Sequence, residues 1–254
     1  MIRLLCENQD NSLYFGGFES DPFLCRIQAL YKTYGTNQSF ADFWVQLYDN
    51  MPVSLISRLD SAFILTLTKR SCISEISEFL NMLGAESVIC DGKYRLDIPL
   101  SLRTGPILAC NSLVKTDDSY EISIPSVKEA YELLRLSDSK NFLVPPYESF
   151  ALDLSHKLKH GTSRLYGIKL DGRYKACIMT LAENFTSAVL GGLTTHPEHR
   201  GAGLGSYLIK YANNTLINEG KTIYFHRAPN ENIEFYSHLG FKVHGKWNEY
   251  KGMI

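Results

Sequence analysis

One stretch constrains this chain more than any other: Leu190 to Leu208, LGGLTTHPEHRGAGLGSYL. An apolar run, Ala188 to Leu193, ends in Thr194-Thr195. His196-Pro197-Glu198-His199 and then Arg200-Gly201-Ala202-Gly203-Leu204-Gly205 follow, and an amphipathic segment comes next. The order reads as strand, short loop, glycine-rich turn, helix. A turn this rich in glycine lets successive backbone N–H groups converge on one concavity, because no Cβ blocks the approach. The unpaired N–H groups of the next helix and the positive end of its dipole add to that field. Such a place binds phosphate.

Phosphate-binding turns come in several kinds, and the spacing separates them. A GxxxxGK[ST] loop needs a Lys after its glycines, and none follows here. A GxGxxG dinucleotide fingerprint counted from Gly201 would place its third glycine at Ser206, and no Asp or Glu ends the next strand, Ile223-Tyr224-Phe225, to hold a ribose. Arg200-x-x-Gly203-x-Gly205, with Thr195 and Pro197 upstream, resembles the acetyl-CoA pyrophosphate loop of the GNAT superfamily, the general control-related N-acetyltransferases. Downstream, Asn-x-x-x-x-Phe-Tyr-x-x-Leu-Gly-Phe, ending at Phe241, resembles the second signature of the same superfamily. The resemblance spans Ser119 to Ile254. Its asparagine-to-tyrosine spacing is one residue shorter than usual, so either Asn230 or Asn232 takes the pantetheine-bonding role.

The resemblance implies a fold and a set of contacts. The fold is mixed α/β (α+β), a central mixed sheet with splayed strands flanked by helices. Gly191-Gly192 sits where a bulge would start the divergence of two strands. Backbone groups of Leu193, Thr194 and Thr195 would then bond the pantetheine and the acetyl carbonyl. Arg200, Gly201, Ala202, Gly203, Leu204, Gly205 and Ser206 would hold the pyrophosphate. Tyr236 matches the tyrosine that protonates the departing thiolate.

The remaining sequence fills in this frame. Tyr120 to Ile124 alternates as a strand, and Ser126 caps a helix carrying Val127, Ala130, Leu133 and Leu134 on one side. A second helix starts near Tyr147, after Pro145-Pro146, and runs to Gly161. By the resemblance these two helices flank the acceptor, with Tyr147, Glu148 and Asp153 toward it. Leu165–Leu170 and Tyr174–Met179, joined by Asp171-Gly172, read as a hairpin. Leu204, Leu208, Tyr211, Ala212 and Leu216 share a helical face that Gly220 ends. Thr222 to His226 is the next strand.

The front of the chain carries no such motif. Its first 35 residues show no clear period. Phe40 to Tyr48, Ala62 to Leu67 and Ser87 to Cys90 read as strands. Ser71 is placed to cap a helix with Ile73, Ile76, Leu80 and Leu83 on one face, stopped by Gly84. Phe79-Leu80-Asn81-Met82-Leu83-Gly84 echoes Phe235-Tyr236-Ser237-His238-Leu239-Gly240, each a helix end leading into a strand. That echo suggests a degenerate GNAT-like copy, inert because Leu80 stands where Tyr236 stands. With Asn111 to Ser119 as the linker, the expected domains are 1–115 and 116–254.

Composition narrows the function classes. A length of 254 residues fits one large domain or two ordinary ones. A formal net charge of −1 gives no basic field for nucleic acid or an anionic membrane. The six cysteines are scattered without a CxxC, which reads as buried, reduced thiols in a cytoplasmic protein. No apolar run is long enough to span a bilayer. His156 and His160 share a helix face without the Glu of HExxH, so no metal is expected there. His196 and His199 flank the loop, toward phosphate or solvent. The expected reaction is acetyl transfer from acetyl-CoA, as cosubstrate, to a primary amine of a small molecule or peptide in a ternary complex. The alternative is a non-catalytic acyl-CoA-binding regulatory module. The base stays open between His226 and Glu183, and the front half is free to form a homodimer surface.

Overall fold

The computed structural model describes residues 1–7, 11–19, 21–116, 119–137, 144–229 and 233–252. In chain order the elements are β1 (Ile2–Leu4), α1 (Ser12–Phe15), α2 (Pro22–Tyr34), β2 (Ala41–Tyr48), β3 (Met51–Leu59), β4 (Ala62–Leu67), α3 (Ile73–Met82), β5 (Ser87–Asp91) and β6 (Ser101–Cys110). They continue with β7 (Ile122–Ser123), α4 (Val127–Arg135), α5 (Tyr147–Lys159), β8 (Leu165–Leu170), β9 (Arg173–Glu183), β10 (Ser187–Thr195), α6 (Leu204–Asn218), β11 (Thr222–His226), α7 (Ile233–His238) and β12 (Lys242–Lys251). Two compact units result, one from Met1–Ile107 with His244–Ile254 and one from Leu108–Val243. The sequence places one boundary at 115/116; the density of contacts changes over at 107/108 and again at 243/244.

In the first unit β1, β2, β3 and β4 run antiparallel to one another in order, and β4 pairs parallel with β5 through the crossover helix α3. The end of the chain then returns, and β12 lies antiparallel to β5, with Trp247 opposite Asp91 and Tyr250 opposite Val88. Tyr250 is 2 % exposed, and its hydroxyl accepts the Leu96 N–H at 2.8 Å. Helix α2 packs on β3 and β4. It starts at Asp21, whose carboxylate accepts the Leu24 N–H at 2.6 Å, followed by Pro22, and it ends at Gly35 with φ of 65°. Asp-Pro before and Gly after are the signals that mark such a helix in a sequence without clear period.

The second unit repeats the pattern. β7 pairs with β8, β8 with β9 and β9 with β10, all antiparallel, and β10 pairs parallel with β11 through the crossover helix α6. Leu204, Leu208, Ala212 and Leu216 of α6 bury against Ile178, Leu190, Ile223 and Phe225 on one face. Ala130, Leu133 and Leu134 of α4 cover Cys177 and Met179 on the other. Ser126 caps α4 in a reciprocal capping box with Glu129.

Three local expectations change. Tyr211 is 38 % exposed, so it stands at the edge of the α6 face and not within it. Ser71 does not cap α3; the N-cap is Cys72, and the Ser71 hydroxyl accepts the Thr68 N–H and donates to the Val53 carbonyl. The echo of Phe79–Gly84 with Phe235–Gly240 aligns the wrong helices. By topology α3 corresponds to α6, since each crosses between a pair of parallel strands, and Leu80 has no counterpart relation to Tyr236. Helix–Gly–strand junctions recur for capping reasons alone, which is why the sequence echo misleads.

The corresponding helix start in the first unit is filled by its own side chains. No glycine lies between Thr68 and Cys72. Gln46 Oε1 accepts the Cys72 N–H at 3.0 Å, and Gln46 Nε2 donates to Glu75 at 2.7 Å. The N–H that could meet an anion is satisfied internally, and a carboxylate stands beside it.

A charged cluster ties the second unit's elements together. Arg164 donates two bonds of 2.6 Å to Glu219 and pairs with Glu183 at 2.9 Å, and Lys221 reaches Glu183 at 2.8 Å. The hydrogen bond from Arg164 chiefly holds the Glu219 carboxyl down at about 2. A depressed carboxyl contributes stability above its ordinary value of 4.5 that is lost as pH falls toward about 2. Arg164→Gln should therefore lower the melting temperature at pH 6, and the gap to the parent should narrow from pH 4.5 downward in calorimetric scans. Tyr250→Phe strands the buried Leu96 N–H and should cost about 1–3 kcal/mol in urea unfolding followed by the near-ultraviolet signal of the first unit.

Candidate functional site

The site begins where two strands part. β10 and β11 pair from Ser187 opposite Thr222 to Leu190 opposite Phe225, and there the ladder stops, while β10 continues to Thr195. Against β9 the β10 register slips between Gly191 and Thr194, so that three steps on β10 match two on β9. This is the bulge the double glycine suggests. Gly192 sits at φ 59°, and a Cβ at Gly191 would lie 2.5 Å from Leu181 Cδ1. Both positions need glycine, one for its torsion and one for its space.

Beyond the bulge the strand presents its groups alternately. The His196 N–H donates to Lys175 on β9, whereas the Thr195 carbonyl accepts from Arg200 Nε at 3.2 Å. By period-two alternation the main-chain groups of Thr195 and Leu193 face away from β9 and into the opening. Thr194 faces the other way in its backbone, and its side chain is buried. Its hydroxyl donates to the Leu133 carbonyl of α4 at 3.1 Å and contacts the Ser137 hydroxyl.

The turn after β10 is a 3₁₀ segment, Pro197–His199, closed by the His199 N–H on the His196 carbonyl at 2.9 Å. Arg200 then bonds Thr195 and the Leu136 carbonyl at 3.2 Å. Those two carbonyls hold its guanidinium at the mouth of the opening. Gly201 and Gly203 take φ of 79° and 83°. Gly203 is the N-cap of α6 and no side chain caps this helix; the first helical bond runs from the Tyr207 N–H to the Gly203 carbonyl. The N–H groups of Leu204, Gly205 and Ser206 thus precede the helical ladder. A Cβ at Gly205 would point at Thr195 Oγ1 (3.5 Å) and Leu193, so its absence widens the opening.

These features share a cleft of about 880 Å³. Of the residues named from sequence, Leu193, Thr195, Arg200, Gly201, Gly203, Leu204, Gly205, Ser206 and Tyr236 line it. Thr194 is turned away and Ala202 is exposed on the outside of the turn. Asn230 and Asn232 lie outside the described residues. Tyr236 is 7 % exposed and packs on Phe225 with ring centroids 4.8 Å apart, and on Phe241 at 6.0 Å.

His226 lines the cleft as well; Glu183 does not, being 3 % exposed at its side chain and paired with Arg164 and Lys221. Tyr147 packs on Tyr131 and Asp153 pairs with Lys157, and neither they nor Glu148 line this cleft. Leu181, Ser137 and Arg227 line it without having been singled out in the sequence. Leu181 reaches it because a second register slip, between Val189 and Leu190, displaces it on β9, and no local signal marks that. His196, Glu198 and His199 gather ligand-type atoms within 4.8 Å of one another. A tetrahedral zinc site needs donors roughly 3.3 Å apart, closer than His196 Nδ1 and Glu198 Oε2 stand at 3.8 Å.

The cleft thus combines helix N–H groups, a guanidinium held by two carbonyls, the diverging ends of β10 and β11 and a tyrosine. An anion bound at the α6 end would direct the rest of a long molecule between β10 and β11. No described helix is long and apolar enough to cross a membrane.

Comparison with known proteins agrees with this geometry. The model of the acetyltransferase (GNAT) domain matches residues 161–243, all within the second unit. A search of curated proteins returns no match. Among solved structures, a tandem GNAT protein from the clavulanic acid biosynthesis pathway superposes with a TM-score of 0.62 at 16 % identity, covering 98 % of this chain and 97 % of its own. A putative GNAT-family acetyltransferase from Novosphingobium aromaticivorans gives 0.56 at 20 % identity over 92 % of this chain and 100 % of its own. A GNAT-family acetyltransferase from Colwellia psychrerythraea gives 0.58 at 12 % identity over the whole of both chains. The chain carries a GNAT acetyltransferase domain over residues 161–243, and from end to end it shares the fold of a tandem GNAT protein.

Proposed function

We propose that this chain transfers an acetyl group from acetyl-CoA to a primary amine of a small molecule or peptide, directly, with both substrates bound. The observation that carries the reading is the uncapped start of α6 opening into the gap between β10 and β11. CoA would supply the activated acyl group as a thioester; the protein supplies position and electrostatics.

The N–H groups of Leu204, Gly205 and Ser206, with Arg200, suit a pyrophosphate. Main-chain groups of Leu193 and Thr195 suit the amide-bearing arm, and a strand N–H at the bulge suits the developing oxyanion. Tyr236, on the wall beside Phe225, suits the proton donor for the thiolate. Its presence on that wall favours an enzyme over an acyl-CoA-binding module. In this reading the second unit, Leu108–Val243, carries the transferase site, and the first is a degenerate counterpart whose helix start is plugged by Gln46.

Titration calorimetry with CoA should find one site per chain. Gly203→Ala, which forces an L-residue into a left-handed torsion at about 1–2 kcal/mol, should weaken it about tenfold. No heat of binding would end the proposal. Tyr236→Phe should lower thiol release from acetyl-CoA about 100-fold with the best acceptor from a panel of amino acids, amino sugars, polyamines and peptide N-termini, while CoA affinity stays within twofold. CoA binding without turnover on the panel would favour the regulatory module.

A further inference from the structure

The proposed reaction needs a base, because an alkyl amine is mostly ammonium near neutral pH, and the two faces of the sheet offer different groups to the opening. On β11, Ile223 and Phe225 belong to the core under α6. Tyr224 alternates to the opposite face, and so does His226. On β10, Leu190 belongs to the α6 core, so Gly191 faces the opposite side, where Leu181 fills the space a Cβ would take. Gly191 is the first residue of β10 after the last pair, Leu190 with Phe225, and His226 is the first of β11 after it. Leu181, Gly191 and His226 therefore form one row across three strands, on the face that α4 covers, and all three line the cleft. Tyr236, packed on Phe225, stands on the α6 face.

We infer that His226 is the catalytic base, that the amine enters on the α4 face beside Gly191 and Leu181, and that the thiolate leaves toward Tyr236 on the other face. The inference rests on the acetyltransferase reading above. His226 takes one proton from the ammonium, and the freed lone pair forms the C–N bond at the thioester carbonyl. The C–S bond breaks, sulfur receives a proton from the Tyr236 hydroxyl, and the second amine proton restores Tyr236 through solvent. The products are the amide, free CoA thiol and one proton, which His226 returns to water.

Neutral imidazole is the working form, because only it can accept the proton. The other titratable or charged groups on the described cleft wall are His199 and Arg200 from the turn, Arg227 just after β11 and Tyr236 from α7. His199 belongs to the turn at the phosphate end, and both arginines stay charged throughout.

The test is the pH dependence of kcat/KM between pH 5 and 10, using the fastest amine from the panel. His226→Gln should lower kcat/KM about 100-fold at pH 7.5 and abolish the acidic rise, while calorimetric CoA affinity stays within twofold. His226→Ala should regain at least tenfold on adding imidazole, whereas Tyr236→Phe should keep the acidic rise. A His226→Gln enzyme that binds CoA and keeps the acidic rise, or a rate within threefold of the parent, overturns the assignment and leaves the acetyltransferase reading standing. Loss of CoA binding in His226→Gln, with no imidazole rescue of His226→Ala, also overturns it, since the residue then serves structure. A parent chain that binds no CoA overturns both.

Discussion

The ladder between β10 and β11 ends at Leu190 and Phe225, and the site depends on that interruption. β11 ends one residue later, at His226. Here β10 continues, but the extra residue at Gly191–Leu193 re-aims its edge, and the left-handed torsion at Gly192 fixes the change. Main-chain groups that leave a ladder would be costly if buried without partners. Here the residues past the last pair, Gly191 to Leu193 and Thr195 with His226, line an open cleft.

The second half of the site follows from the helix that crosses back. α6 begins without a capping side chain, after two glycines with positive φ, and points its start at the mouth of the same gap. Arg200 is held there by two carbonyls, one from β10 and one from the end of α4. The first unit shows the alternative outcome of the same topology. Its crossover helix also follows a strand that outruns its parallel partner, but Gln46, Ser71 and Glu75 occupy the helix start. One architecture therefore gives an uncapped helix start in one unit and a self-satisfied polar network in the other. The difference lies in glycine at 201 and 203 against Thr, Lys, Arg and Ser at 68–71.

Completion of the first unit by the chain's end also bears on stability. β12 contributes Trp247 and Tyr250, 6 % and 2 % exposed, to a unit whose other residues lie before position 108. The Tyr250 hydroxyl satisfies Leu96 and Asn248 donates to the Tyr94 carbonyl, in a stretch that has no regular structure of its own. Segments far apart in sequence thus fix the irregular backbone before β6.

Much of the second unit was legible in the residues themselves. The strand, the turn, the α6 start, the Asp171-Gly172 hairpin, the capped α4 and the bulge at Gly191-Gly192 all carry local chemistry: torsions only glycine takes easily, a hydroxyl that caps, a period that buries one face. Strand β3 and the body of α2 between its Asp21-Pro22 start and Gly35 stop were not, because small and polar residues such as Cys25, Thr33, Ser54 and Ser57 occupy buried positions there and blur the period. The sequence determined that a glycine-rich turn and an uncapped helix start follow β10. Tertiary structure alone decided that Leu181 and His226 share a face with Gly191, that Thr194 turns to α4, and that Glu183 is consumed by Arg164 and Lys221. Those outcomes depend on strand register and on partners many residues away, and no local pattern encodes a register slip on a neighbouring strand.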